Sequence, residues 1–223
     1  MSNAAVRPAR QSLDDPHKLG RPSNPEIEST GSGQSGPASK RIVVGFGFWI
    51  FLLSDIIMFA AIFATYSVLE VATNGGPTGA DLFHLDNVKI ETALLLLSSF
   101  SCGLAMISSK SRHVLLTQVF LIATGILGLC FLAMEFSEFN GMIQEGAGPQ
   151  RSAFLSAFFT LVGCHGLHVT LGLVWLLTMM AQIWSQGFTK SIQRRLLCFS
   201  LFWHALDIIW VALLTIVYLL GVG

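Results

Sequence analysis

The amino-acid sequence predicts an all-α integral membrane protein, a bundle of five transmembrane helices. Three observations carry that reading. Hydrophobic residues fill 52% of the 223 positions and charged residues only 12%, a far more apolar balance than a soluble domain of this size shows. Five apolar runs are each long enough to cross ~30 Å of hydrocarbon, which takes roughly 20 helical residues. Beyond the first 41 residues the prolines, Pro77 and Pro149, fall between those runs and not inside them.

The elements follow in order. Residues 1–41 hold five of the seven prolines and a Ser/Gly run over 29–39 without apolar periodicity, so they are expected to form a disordered tail on the cytoplasmic side. No apolar core precedes Ile42, so the tail does not read as a signal peptide and the first helix doubles as the insertion signal. The membrane domain, 42–223, then has helices expected over 42–69, 92–109, 114–134, 152–184 and 196–222. Basic residues set the orientation. Lys40, Arg41, Lys110, Arg112, Lys190, Arg194 and Arg195 flank one end, against Lys89 and Arg151 among several acidic residues at the other. The N-terminus is therefore expected in the cytoplasm and the C-terminus in the periplasm.

Composition excludes several classes of function. A net charge of zero leaves no surplus of Lys and Arg to contact nucleic-acid phosphates. Cys102, Cys130, Cys164 and Cys198 each stand alone in an apolar segment, with no spacing that suits zinc. No glycine-rich phosphate loop and no internal repeat is present. Trp49, Trp175, Trp184, Trp203 and Trp210 sit near segment ends or along single faces, as headgroup anchors or packing residues do.

What remains is a set of polar groups at hydrocarbon depth, where each charged form costs roughly 2.5–3.5 kcal/mol on insertion scales. Asp55 stands in the middle of the first helix and must be protonated or partnered, by Ser54 or by a histidine of a neighbouring helix. Glu135 and Glu138 share a face one turn apart in M-E-F-S-E-F and repel unless something cationic joins them. Arg151, in the following G-P-Q-R turn, suits that role through bidentate bonds. It suits equally the binding of a lipid phosphate at the start of the fourth helix.

His165 and His168 lie one turn apart in the fourth helix, and His204 and Asp207 repeat the spacing in the fifth. Two readings follow. Histidines from two membrane helices can ligate a b-type haem, and Gly163, Gly166 and Gly172 supply small neighbours. A His/Asp network joining the two helices accounts for all four residues with no cofactor. Copper or zinc finds no further ligand in register.

G-F-W-I-F-L-L-S-D, M-E-F-S-E-F, G-P-Q-R-S-A-F-L-S-A-F-F-T-L-V-G-C-H-G-L-H-V and L-F-W-H-A-L-D-I-I-W together resemble subunit III of the haem-copper terminal oxidases, over residues 45–221. Five helices, starting directly at the G-F-W-I-F helix, make the chain most similar to the bacterial cytochrome bo-type ubiquinol oxidase form. The resemblance implies a multi-pass subunit of the bacterial inner membrane with no catalytic centre, haem or copper of its own. Haem and copper would reside in subunit I, ubiquinol would be the substrate of the complex, and subunits I, II and IV and phospholipid would be its partners. Asp55 would occupy the position of the family's carbodiimide-reactive glutamate, one methylene shorter. Arg151, Trp203, His165, His168 and His204 would lie nearest lipid headgroups or lipid-proximal polar networks. Three other readings remain: subunit III of a cytochrome c oxidase, a b-type haem electron carrier, and a small proton-coupled transporter.

Overall fold

A computed structural model describes residues 40–77, 79 and 85–219. Five helices follow one another: α1 (Lys40–Leu69), α2 (Leu85–Lys110), α3 (Val114–Gln144), α4 (Ala153–Gln186) and α5 (Lys190–Leu213), the last continuing into a π-helical segment, Leu214–Leu219. Among the described residues there is no strand. All five helices are long and apolar enough to cross a membrane.

The helices outrun the apolar runs that predict them. α2 begins seven residues before position 92, at Leu85, and α3 continues ten residues past position 134, to Gln144. At 1.5 Å per residue a helix of 31 residues rises ~46 Å, well beyond the hydrocarbon. Polar turns at either end satisfy their backbone by continuing the helix. The expected disordered tail lies almost wholly in residues 1–39, outside the described residues.

The chain divides into two compact units, 1–47 and 48–223. The described part of the first is the opening of α1, where Ile42, Val43, Val44 and Phe46 are exposed. In the second, α2 packs on α3, α3 on α4, α4 on α5 and α5 back on α2, closing a ring of four helices. Short links enforce the antiparallel neighbours. Arg112 takes a left-handed φ of 57° between α2 and α3. Gly187, at φ 62°, ends α4, and Thr189 caps α5 by accepting from the Ile192 amide at 3.2 Å. Ser152 caps α4 in the same way, accepting from the Leu155 amide at 3.1 Å.

Trp203 locks the ring. Its side chain leaves α5 and fills a groove that exists because two facing positions lack side chains. A Cβ on Gly128 of α3 would stand 3.1 Å from the indole, and one on Gly172 of α4 only 2.9 Å. The indole Nε1–H donates to Ser98 Oγ of α2 at 3.0 Å, and Ser98 Oγ–H donates to the Thr124 carbonyl of α3 at 3.2 Å. One residue thus touches every helix of the ring. Close approach at small residues is how membrane helices associate when lipid is as apolar as their own surface.

Within this second unit α1 meets α4 through long side chains. Phe48 stacks edge-on to Trp175 at 5.9 Å, Phe59 to His168 at 5.2 Å, and Tyr66 tilts against Phe154 at 6.0 Å. Its other faces, with Trp49, Ile50, Phe51, Leu53, Ile56 and Ile57, stay exposed. The wider π turn at the end of α5 carries Val217 and Tyr218 into the core.

Candidate functional site: polar clusters inside the bundle

Asp55 and His168 face one another between α1 and α4. His168 Nε2 stands 3.7 Å from Asp55 Oδ2, with both side chains largely withdrawn from the surface. The other ring nitrogen, Nδ1, lies 2.7 Å from the Cys164 carbonyl. A carbonyl only accepts, so Nδ1 carries a hydrogen and donates it. Nε2 is then left facing the carboxyl across that gap. Ser54 takes no part, since its hydroxyl donates to the Phe51 carbonyl of its own helix at 2.7 Å.

Asp207 and His204 form a second cluster, joining α5 to α2. His204 Nδ1 is 3.9 Å from Asp207 Oδ2, and the same oxygen accepts a hydrogen bond from Ser99 Oγ–H. His204 is half exposed and Asp207 is buried.

The third cluster sits where α1 ends, α2 begins, α3 ends and α4 begins. Glu135 is buried against α4, with its Oε1 3.1 Å from where a Cβ on Gly166 would be. The glycine between the two histidines is thus what admits the carboxyl. His165 is enclosed by rings, with Trp210 at 5.3 Å, Phe131 at 5.9 Å and Phe59 at 6.5 Å. Glu91 of α2 is buried within electrostatic range of Glu135 and Glu138. Its neighbour Thr92 accepts from Trp210 Nε1–H at 3.0 Å, tying this end of α2 to α5. A cavity of about 350 Å³ opens here, lined by Asn87, Glu91, Ser137, Glu138 and Glu145.

Several expectations need amending. His165, His168, His204 and Asp207 do not form one network between the fourth and fifth helices. Three residues along a helix leave the two histidines only ~60° apart, and Phe59 stands against both rings, but His165 is closed in by Trp210 and Phe131 while His168 faces Asp55 of α1. Arg151 does not join Glu135: it is exposed beside Gly76, whereas Glu135 is inside the bundle. Arg151 instead lines an open hollow with Asn74 and Gln150. Trp203 and His165 do not face lipid, being almost fully buried, because Gly172, Gly128 and the aromatic cage draw them inward. Among the described residues, no three His, Cys, Asp or Glu side chains converge as metal ligands would.

The helix expected over 92–109 stops one residue short of Glu91, and no motif singles out Tyr66, whose buried hydroxyl has no hydrogen-bond partner among the described residues. The signal for Glu91 was its place directly before the run T-A-L-L-L-L, which the helix already includes.

Comparison with known proteins agrees with this architecture. Residues 26–222 match the family model described as Cytochrome c oxidase subunit III. Cytochrome bo(3) ubiquinol oxidase subunit 3 of Pseudomonas aeruginosa is 53% identical over 176 residues, covering 79% of this chain and 84% of the relative. Quinol oxidase subunit 3 of Bacillus subtilis is 41% identical, over 79% of this chain and 87% of the relative. Cytochrome c oxidase subunit 3 of Bacillus sp. (strain PS3) is 42% identical, over 78% and 84%. On this match, and on relatives well above the identity at which membership is in question, the chain belongs to the cytochrome c oxidase subunit III family.

Proposed function

We propose that this chain is the third subunit of a ubiquinol-oxidising haem-copper oxidase in the bacterial inner membrane, and that it carries out no redox step itself. The observation behind this reading is the family match over residues 26–222, together with relatives at 53% and 51% identity named as bo(3) ubiquinol oxidase subunit 3. Haem and copper belong, in this reading, to subunit I, where oxygen is reduced to water and protons are pumped. Subunits II and IV and phospholipid complete its surroundings.

The role left to this chain is support. Its interior offers proton and hydrogen-bond positions held by a rigid ring, and α1 offers an apolar face with little of its own protein against it. That face suits a partner subunit or annular lipid. Arg151, at the start of α4, suits a lipid phosphate. Orientation rests on Lys110, Arg112, Lys190, Arg194 and Arg195 at the α2–α3 and α4–α5 turns, which belong on the cytoplasmic side.

An affinity tag on this chain tests the assignment. Purification from native membranes is expected to bring down a haem-bearing complex that oxidises ubiquinol. A complex that oxidises only reduced cytochrome c would move the assignment to the cytochrome c branch of the same family, which the 42% identity to the strain PS3 protein represents. Recovery of a colourless, partnerless oligomer would end it.

A further inference from the structure

Four helices each bury a polar side chain in the half of the bundle where α2 begins. Glu91 of α2 is 1% exposed, Glu135 of α3 is 5% exposed, and His165 of α4 and Tyr66 of α1 are fully buried. Among the described residues, neither oxygen of Glu91, neither oxygen of Glu135, neither ring nitrogen of His165 and not the Tyr66 hydroxyl has a hydrogen-bond partner. Such groups cost about 1–3 kcal/mol each when nothing satisfies them. Native interiors meet this with ordered water, each molecule making about three hydrogen bonds.

The space for water is adjacent. Glu91 lines the cavity of about 350 Å³ with Asn87, Ser137, Glu138 and Glu145, which at about 30 Å³ per molecule holds on the order of ten waters. Its lining is polar on two sides, from α2 and α3, and it opens at the end of the bundle. Charge narrows the chemistry further. Glu91, Glu135 and Glu138 interact electrostatically with one another and with Tyr218 of the π segment. Like charges this close and withdrawn from bulk water need a cation, a proton or water between them. A protonated carboxyl is a donor as well as an acceptor, and water serves both.

We propose that Glu91, Glu135, His165 and Tyr66 bound an internal water-binding chamber that opens through the Asn87–Glu138–Glu145 mouth, and that Glu91 and Glu135 reside there as carboxylic acids exchanging protons with that end of the membrane. The ligand class is water and its protonated forms. The Asp55–His168 pair lies one helical turn from His165, with Phe59 standing against both rings, and the chamber does not depend on the supporting role proposed above.

The test uses the intact complex. Infrared spectra of the purified oxidase are expected to lose protonated-carboxyl C=O intensity, one carboxyl equivalent each, in Glu91→Gln and Glu135→Gln. In the wild-type complex the same intensity shifts promptly on transfer to deuterated water, because the chamber is open. No loss in either variant, or intensity that fails to shift over hours, overturns the proposal. Where a variant does not assemble, high-resolution electron microscopy of the wild-type complex decides. Discrete water density between Glu91 and Glu135 is expected, and unbroken protein density, or a basic side chain of a neighbouring subunit in that space, overturns it.

Discussion

Replacing Gly172 with alanine probes the joint on which the ring of helices depends. The new methyl carbon would stand 2.9 Å from Trp203 Cζ3, 3.2 Å from Trp203 Cε3 and 3.2 Å from Phe202 Cε1, so something must move. Trp203 has nowhere to go, since it is buried, lies close against Gly128 of α3, and is tethered by Nε1 to Ser98. Overpacking of this kind costs ~1–3 kcal/mol, and dislodging the indole hydrogen bond ~0.5–1.5 kcal/mol more. Alanine returns ~0.5–1 kcal/mol through its better helix propensity. The net is about 2 kcal/mol, roughly a thirtyfold shift against the folded, assembled state.

Thermal or denaturant dissociation of the purified complex, followed by retention of this subunit, reads the effect. The control is Gly163→Ala, whose methyl would meet only Phe139 Cε2 at 3.8 Å and is expected to be neutral or mildly stabilising. Adding Trp203→Phe to Gly172→Ala removes ring atoms at the clash, so the double variant is expected to cost less than the sum of the two singles. If Gly172→Ala matches the Gly163→Ala control, the locking role of Trp203 is wrong.

Three further outcomes follow from the same geometry. Asp55→Asn is expected to assemble and to lose labelling by a hydrophobic carbodiimide that the wild type shows; an unlabelled wild type, or a variant complex that fails to form, overturns that expectation. Ser99→Ala removes the hydroxyl donor to Asp207 and leaves a buried carboxyl with His204 at 3.9 Å, a loss of about 1–3 kcal/mol by the same dissociation assay. Gly166→Ala places a carbon 3.1 Å from Glu135 Oε1. It is expected to displace the Glu135 carboxyl infrared signal without abolishing it, and an unchanged band position would show that the carboxyl does not rest on that helix.

The five helices were legible because hydrophobic length alone identifies a membrane span, and because Pro77 and Pro149 fall where the chain must turn. Their ends were less legible. Apolar composition stops at the hydrocarbon boundary, near Thr92 and Met134, while backbone hydrogen bonding carries α2 back to Leu85 and α3 on to Gln144. That difference hid Glu91, which reads as a loop charge until α2 is seen to include it.

Which polar residues matter was visible in the motifs, but not how they pair. His165 and His168 share a motif and a neighbour, Phe59, yet only His168 meets a carboxylate, because what a side chain faces is fixed by what packs there. The G-C-H-G-L-H spacing contains the reason for the separation, since Gly166 admits Glu135 on one side and His168 turns to Asp55 on the other. Trp203 is a similar case. In sequence it looks like an interfacial anchor, and only the facing Gly128 and Gly172 show that it is a wedge.

The central claim is that this chain supports a redox complex without holding its redox groups. The most direct measurement compares the purified oxidase with and without this chain for haem and copper content, optical spectrum and activity over many turnovers. The metal and haem complement is expected to be unchanged, with an active lifetime that shortens when the chain is missing. A haem signal that disappears with the chain, or a haem absorption band in the isolated chain that His165→Ala or His204→Ala abolishes, would contradict it.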